Sequence, residues 1–478
     1  MTHLEDSLVN IRRRMPHYTG PLGGEQTLEA RAWRRQPIDY TTINDSSATI
    51  QLYSRSSTPH SVFLLPLEMF ITLLTTLTTI TFSWSTLFSL CLITLCPALI
   101  ILVFLYIPLP EGIADSKKLY VTEMFLRVSG EYLGDIVETA LGPEYRNYYL
   151  RFIMAIGFYL PAPTPPAVEY SWVELGGVSV RVIRPKFKEH RRNTAIVYIH
   201  GGGWATMRPQ YYDHALSYLV YKLGSTIFAI DYRLAPEHPY PAAVEDCEAV
   251  VRALTDKVLY EYGIVNSRLC VMGDSAGGNL SAVISRRLRD TKRIKCQVLI
   301  YPVTTVFGFA SSSYKDYFRT CAGTALLNPF SMARWILFYL GVDAKHDNVR
   351  KLIDSEHVPR GHSKILDDFM AKDDKSSSLK ANVDLKLASS FAIRGLDPDV
   401  SPLLAHDLND LPPTMVLTAG IDVLRDEGRA YAARLAEAGV TVDAKHYPSA
   451  YHGILNMPYS RVRKTMKRDI VHFLDKYL

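Results

Sequence analysis

The sequence predicts an α/β protein, with a mainly parallel sheet flanked by helices, a helical cap and a transmembrane helix near the N-terminus. Two observations lead to this prediction. From about residue 194 onward, short apolar and β-branched runs alternate with helical stretches, which is typical of strands joined by helices in a parallel sheet. Before them, the 42 residues from 69 to 110 contain no charged side chain, whereas one membrane-spanning helix needs about 20 residues.

The composition excludes several classes of protein. A chain of 478 residues with 48% apolar residues can bury a large core. Its 53 basic and 48 acidic residues give a net charge of only +5 without any long basic block, so nucleic acid is not an expected partner. The six cysteines form no CxxC or Cys/His spacing, and we predict neither a metal site nor a cofactor.

Residues 1–61 are predicted to form a polar, disordered tail. Arginines at positions 12, 13 and 14 stand among Gly, Pro, Ser and Thr without a sustained apolar period. A solvated charge cluster is the simplest interpretation of these arginines. A retrieval signal for the endoplasmic reticulum and a contact with phospholipid are the alternatives.

Residues 62–110 are predicted to form a membrane segment. Its most apolar part, residues 87–107, is the best candidate for a single crossing helix, with the Thr-rich residues before it as a lead-in. The alternative is a helical hairpin that turns near residues 83–85. Flanking charge does not choose between them, because Arg55 precedes the run while Lys117 and Lys118 follow it.

Residues 111–478 have the pattern of a soluble α/β domain. We expect a helical cap from residues 111–165 and 305–400, because the strand–helix alternation is absent there, and an exposed polar loop at 372–380. Strands are predicted at residues 194–199, 225–231, 269–273, 297–301, 414–419 and 440–447.

A GxSxG pentapeptide at residues 273–277 marks a candidate nucleophile. It follows an apolar strand and precedes a helical pattern. Glycines at these two positions relieve crowding in a tight strand-to-helix turn that exposes the serine oxygen. We therefore predict that Ser275 is a catalytic nucleophile.

A glycine loop, residues 200–204 (HGGGW), ends an earlier strand. Its glycines allow the backbone N–H groups of Gly201, Gly202 and Gly203 to face a developing oxyanion, with the N–H of Ala276 as a further donor. A flexible loop without this role is the alternative. His200 is predicted to order the loop by hydrogen bonding, and a direct catalytic role is its alternative.

An acid and a base follow the serine in chain order. Asp422 and His452 each come just after a predicted strand, where α/β sheets place their reactive groups. We predict Asp422 as the triad acid and His452 as the base. The rivals are Asp426 and Glu427, which are interpreted as charges in the first turn of a helix, and His446, which lies within a strand pattern.

Six motifs in fixed order carry a resemblance to a known family. They are HGGGW at 200–204, DYRLAPE at 231–237, GDSAGGNL at 273–280, SPLLA at 401–405, DVLRDEG at 422–428 and YHG at 451–453. Together they resemble the hormone-sensitive-lipase-like (GDXG) branch of the α/β hydrolases, over about residues 105–478. The resemblance implies an α/β-hydrolase fold and the triad Ser275, Asp422 and His452. Some relatives carry a disulfide at the positions of Ala205 and Ala419, so that bridge is not expected here.

The resemblance also implies a membrane-anchored serine hydrolase. It implies a type II protein of the endoplasmic reticulum, with a lumenal domain that cleaves lipophilic acyl esters, acetyl esters or arylacetamides through an acyl-enzyme. Membrane lipid is then an expected partner, and the hairpin alternative would place tail and catalytic domain on the same side. A catalytically silent ligand-binding receptor or scaffold on the same fold is the main alternative, and a peptidase is the third.

Overall fold

The computed structural model describes residues 72, 88–96, 99, 106–159, 167–264, 268–324, 326–359, 361, 363–373 and 383–478. The predicted tail at 1–61 and most of the predicted membrane segment lie outside these residues. Within the described residues, no helix combines the length and the apolar character needed to span a bilayer. The chain divides into two units, Met1–Leu87 and Phe88–Leu478, and the fold below is that of the second.

An eight-stranded sheet forms the centre of the second unit. In chain order its strands are β1 (Val168–Leu175), β2 (Val178–Pro185), β3 (Ala195–Ile199), β4 (Thr226–Ile230), β5 (Leu269–Asp274), β6 (Ile294–Ile300), β7 (Thr414–Ile421) and β8 (Val442–Tyr451). Their spatial order is β1-β2-β4-β3-β5-β6-β7-β8. The six strands from β4 to β8 in this order are parallel, while β1 and β2 add an antiparallel edge.

Burial explains which strands the sequence analysis identified. Every residue of β3, β4 and β5 is buried, so these strands are continuous apolar runs with clear ends. The sequence analysis assigned no strands to β1 and β2. β1 is the edge strand and only one of its eight residues is buried, while β2 is mostly buried but alternates apolar with polar residues. Gly176 and Gly177, both with positive φ, form the turn that joins them.

Helices connect and cover the strands. In chain order they are α1 (Ser116–Leu126), α2 (Leu133–Leu141), α3 (Pro143–Tyr159), α4 (Asp213–Leu223), α5 (Ala242–Ala253), α6 (Asp256–Glu261), α7 (Ala276–Arg287), α8 (Ser312–Thr320), α9 (Pro329–Leu340), α10 (His346–Ile353), α11 (Lys364–Asp373), α12 (Leu385–Arg394), α13 (Arg425–Glu437) and α14 (Arg461–Tyr477). Helix α7 packs on β5 and β6, and α13 packs on β7. A π-helical turn, Arg127–Tyr132, joins α1 to α2.

Two groups of helices stand outside the strand–helix alternation. Helices α1 to α3 precede the sheet, and α8 to α12 occupy the connection between β6 and β7. These are the regions in which the sequence analysis expects the cap, whose boundaries stay a prediction. Most of the predicted polar loop at 372–380 lies outside the described residues. The parallel strands β3, β5, β7 and β8 bring their carboxyl ends to one edge of the sheet, where the candidate site lies.

Candidate active site

Ser275 occupies a sharp turn between β5 and α7. Its backbone has φ 56° and ψ −123°, a strained conformation for a residue with a side chain. A Cβ atom on Gly277 would collide with the carbonyl oxygen of Ile199, and one on Gly273 would collide with the carbonyl oxygen of Gly277. The two glycines of the motif are therefore required by close backbone approach, which is the physical reason the sequence analysis gave for them.

The structure brings Ser275, His452 and Asp422 into one hydrogen-bonded chain. His452 Nε2 lies 2.9 Å from Ser275 Oγ, and His452 Nδ1 lies 2.8 Å from Asp422 Oδ2. The other carboxylate oxygen of Asp422 accepts the N–H of Leu424 at 3.0 Å. The ring of Tyr301 lies 4.7 Å from the imidazole, centroid to centroid. Asp422 and Tyr301 thus fix the orientation of the imidazole ring, and its Nε2 is directed at Ser275 Oγ.

The glycine loop follows β3, next to the serine turn. The N–H of Gly201 donates to Asp274 Oδ1 at 2.9 Å, so this donor is already occupied. This corrects the prediction that Gly201 faces an oxyanion. Because β3 and β5 are adjacent parallel strands, the first N–H beyond β3 meets the carboxylate at the end of β5.

The other predicted donors carry no such restraint. Among the described residues, the N–H groups of Gly202 and Gly203 donate to no other group. Both glycines have positive φ, 105° and 60°, which a residue with a side chain rarely adopts. Ala276 is the first residue of α7, and the N–H groups of a first helical turn have no acceptor within the helix.

His200 is fully buried at the base of the glycine loop. Its Nδ1 lies 2.8 Å from the carbonyl oxygen of Gly201, and its ring stacks on Tyr232 at 4.3 Å. Burial lowers the pKa of His200 to about 4, so the imidazole is neutral at pH 7 and its Nδ1–H donates to Gly201. The hydroxyl of Tyr232, from the DYRLAPE motif, donates to the carbonyl oxygen of His200 at 2.8 Å.

Asp274 is a site residue that the sequence analysis did not single out. It is buried, and besides the Gly201 N–H it accepts the hydroxyl groups of Tyr198 and Tyr212 at 2.7 and 3.1 Å. Burial raises the pKa of this carboxyl, while the hydroxyl donors and the nearby His452 oppose that rise. Its place inside the GxSxG pentapeptide was the available signal. Its contacts with the glycine loop come from strand pairing, which sequence spacing does not show.

Helices α3 and α9 contact the glycine loop from two sides. From α3, Asn147 Nδ2 and Arg151 Nε donate to the carbonyl oxygen of Ala205 at 3.1 and 2.7 Å. From α9, the indole ring of Trp335 lies so close to Gly203 that a Cβ there would approach it to 2.5 Å. No sequence motif indicated these contacts, because they join residues far apart in the chain.

The rival acids and base bond groups other than Ser275 and His452. Asp426 and Glu427 are in the first turn of α13, as the sequence analysis interprets them. Glu427 is nevertheless buried, and its carboxylate accepts the N–H of Thr304 at 2.7 Å. His446 lies within β8 and contacts the hydroxyl of Thr418.

A cavity of about 270 Å³ lies beside Asp422. Its lining includes Asp422, Tyr317, Cys321 and Leu327, and it includes neither Ser275 nor the glycine loop. Within the described residues, no group of three or more His, Cys, Asp or Glu side chains is placed to hold a metal ion.

Comparison with known proteins gives close sequence relatives. The sequence profile of a family described as alpha/beta hydrolase fold matches residues 196–361 and 371–456. Neutral cholesterol ester hydrolase 1 of Rattus norvegicus is 32% identical over 378 residues, which cover 74% of this chain and 89% of the relative. Arylacetamide deacetylase of Mus musculus is 30% identical over 392 residues, which cover 78% of this chain and 96% of the relative.

Solved structures share the fold. A thermostable carboxylesterase cloned from a metagenomic library is 26% identical with a TM-score of 0.52, and the match covers 70% of this chain and 97% of that one. A hormone-sensitive lipase from a metagenome library is 21% identical with a TM-score of 0.52, covering 69% and 91%, a likeness in fold alone.

Proposed function

We propose that this chain, which belongs to the alpha/beta hydrolase fold family and is a carboxylic ester hydrolase, cleaves lipophilic acyl esters by acyl transfer to Ser275. The observation that carries this proposal is the chain of hydrogen bonds from Ser275 through His452 to Asp422, at 2.9 and 2.8 Å. Nucleophile, base and orienting acid within such distances are the arrangement that activates a serine hydroxyl.

The first step forms an acyl-enzyme. Ser275 Oγ attacks the ester carbonyl carbon while His452 Nε2 accepts the hydroxyl proton, and Asp422 stabilises the resulting imidazolium. The tetrahedral intermediate collapses when His452 returns that proton to the leaving alcohol or amine. In the second step, a water molecule gives a proton to His452 and attacks the acyl carbon. His452 then returns that proton to Ser275 Oγ as the bond between Oγ and the acyl carbon breaks, which releases the carboxylic acid and restores the enzyme. The scheme uses no metal and no cofactor.

The N–H groups of Gly202, Gly203 and Ala276 stabilise the oxyanion in both steps. Their freedom from other acceptors supports this role, because a donor must be available when the negative charge develops on the carbonyl oxygen. Gly201 acts differently: its hydrogen bond to Asp274 fixes the start of the loop against β5.

Lipophilic esters are the proposed substrates, with arylacetamides as a second class. Support comes from the relatives, which are named as a cholesterol ester hydrolase and an arylacetamide deacetylase. A silent receptor or scaffold on this fold is the alternative, and the complete hydrogen-bonded triad argues against it. A peptidase would use the same triad and is tested with a peptide-amide substrate.

Residues 62–110 are proposed to anchor the protein in the endoplasmic reticulum membrane. One helix at about residues 87–107 crosses the bilayer once, with the catalytic domain in the lumen. The uncharged stretch from 69 to 110 supports an anchor, since charged side chains are costly inside a bilayer. A hairpin with a cytosolic catalytic domain is the alternative topology.

One experiment tests chemistry and topology together. Microsomes that contain the full chain are labelled with a membrane-permeant fluorophosphonate, and sealed vesicles are then treated with protease. Labelling that survives protease supports a lumenal serine hydrolase, whereas loss of the labelled band in sealed vesicles supports the hairpin.

Two variants make the labelling specific. Ser275→Ala should abolish labelling, because the reactive oxygen is removed. Ser285→Ala changes another buried serine of α7 and should label as the wild type does. Absence of any Ser275-dependent label would favour the receptor.

A further inference from the structure

Helices α1 to α3 expose an apolar surface that no described part of the chain covers. We call it the outer face, and it is defined by Val121, Phe125, Leu133, Ile136, Phe152 and Ile156. These side chains are between 46% and 65% exposed. Exposed large apolar side chains that recur along three consecutive helices are uncommon on a water-soluble protein and indicate an interaction site.

Several charged side chains of the same helices are buried. Glu123 and Arg127 pair with each other and are 1% and 0% exposed. Arg146 is buried and pairs with Glu131, which is largely buried as well. A helix against water has the reverse distribution, with its charges outside and its apolar side chains inside.

Few charges interrupt the outer face. Across residues 121–157, all of which the structure describes, the exposed charged residues are Asp135 and Glu144. Asp135 is already paired with Arg146. The surface therefore favours an apolar environment over a charged protein partner.

The position of the outer face in the chain identifies a lipid bilayer as its occupant. Pro110 ends the uncharged stretch six residues before α1 begins, a distance of at most about 21 Å of extended chain. Lys117 and Lys118 are exposed at the start of α1, where they can meet anionic headgroups. Tyr145 and Tyr148 are exposed on α3, and tyrosine is enriched at the membrane–water interface.

We propose that the outer face lies in the interfacial layer of the bilayer, as a second membrane contact besides the anchor. This inference rests on the proposed anchoring of residues 62–110. Helix α3 also reaches the active site, because Asn147 and Arg151 donate to Ala205 beside the glycine loop. The same helix then faces lipid on one side and the active site on the other, and an ester dissolved in the membrane reaches Ser275 from the lipid phase.

The first test measures depth in the bilayer. The full chain, with Cys91→Ser and Cys96→Ser to remove its exposed thiols, is reconstituted into phosphatidylcholine–phosphatidylserine vesicles. Phe125→Cys or Phe152→Cys is labelled with an environment-sensitive fluorophore, and lipids with brominated chains serve as quencher. We expect strong quenching at both positions.

Tyr260→Cys provides the matched control. Tyr260 is another exposed aromatic residue, at 70%. It lies on α6, which directly precedes β5 and is therefore near the amino ends of the parallel strands, opposite the carboxyl ends where the candidate site lies. Its label should stay unquenched. Quenching at all three positions, or at none, would overturn the proposal.

The second test measures function. Because a carboxylate is disfavoured in the apolar layer, Phe125→Glu and Phe152→Glu should each lower kcat/KM for a long-chain ester in vesicles by about tenfold. Hydrolysis of a short water-soluble ester should not change. Tyr260→Glu should alter neither activity. Equal loss on both substrates would indicate damage to the fold and would contradict the proposal.

The remaining outcomes separate this proposal from the earlier ones. If the outer face joins two copies of the chain, Phe125→Glu will convert a detergent-solubilised dimer to a monomer, and the bilayer proposal fails. If the proposed chemistry fails, the wild type will show no Ser275-dependent hydrolysis of the soluble ester, while the quenching result is still readable. Extraction of the wild type by alkaline carbonate would contradict the spanning anchor alone.

Discussion

At the scale of single residues, the site depends on backbone geometry as much as on reactive groups. Ser275 keeps a positive φ of 56° because its neighbours Gly273 and Gly277 tolerate close contact with β3 and with each other. His452 is oriented by Asp422, whose second oxygen is fixed by the N–H of Leu424. Ser275 and His452 are therefore both held in position by neighbouring residues of the protein.

Asp422→Asn is expected to lower kcat by about 10⁴-fold while the protein stays folded, because the amide favours the wrong imidazole tautomer. Asp426→Asn is the matched control, since Asp426 is four residues away and bonds the N–H of Ser313 instead. Its effect should stay below about tenfold. Steady-state hydrolysis of a short soluble ester, with circular dichroism to verify folding, measures both. Equal losses of kcat in Asp422→Asn and Asp426→Asn would contradict the assignment of Asp422 as the triad acid.

At the scale of elements, the site lies where strand ends meet helix α3. Asp274 at the end of β5 binds Gly201 at the end of β3. Arg151 of α3 donates to the carbonyl oxygens of Ala205 and Ala235, which belong to the loops after β3 and β4. The position of the glycine loop is therefore set by β5, by α3 and by the loop after β4, which are distant from one another in the sequence.

Arg151→Met should lower kcat by about tenfold and the free energy of unfolding by about 2 kcal/mol, since two carbonyl groups lose a charged donor and the loop is less well positioned. Arg319→Met is the control, because Arg319 is 75% exposed and its surface ion pair with Asp316 should contribute less than about 1 kcal/mol. Urea unfolding and ester hydrolysis provide the two measurements. An unchanged kcat for Arg151→Met would show that α3 does not position the loop.

At the scale of the whole molecule, buried histidines couple the fold to pH. His200 and His357 are both fully buried. Burial lowers the pKa of His200 to about 4 and that of His357 to about 3, from an ordinary value of 6.5. As the pH falls below 6.5, the unfolded chain takes up protons at these positions and the folded chain does not. Stability is therefore fully present above pH 6.5 and decreases below it.

His357→Phe should reduce the loss of stability between pH 7 and pH 5 by about 2 kcal/mol, because one of these protons is no longer taken up on unfolding. A phenyl ring keeps the ring contacts that His357 makes with Phe307 and Phe391, and its loss of the hydrogen bond to the carbonyl oxygen of Val306 costs the same at both pH values. His406→Phe is the control, since His406 is exposed, and its pH dependence should match the wild type. Urea unfolding at the two pH values is the measurement. Parallel pH dependence in wild type and His357→Phe would contradict the assignment of a buried neutral His357.

The sequence by itself determined the features that depend on short stretches of chain. The strand–turn–helix around Ser275 and the buried runs of β3, β4 and β5 follow from local sterics and local hydrophobicity. Asp422 and His452 could be chosen because parallel strands place their carboxyl ends at one edge of the sheet.

Only the tertiary structure decided which groups meet across the fold. The Gly201 N–H bonds Asp274 because β3 lies beside β5, a pairing that no spacing in the sequence specifies. The antiparallel strands β1 and β2, the buried state of Glu427 and the contacts of α3 with the glycine loop likewise depend on long-range packing. The buried charged side chains and the exposed apolar side chains of α1 to α3 also depend on this packing, because a residue's exposure is set by what packs against it and not by its identity.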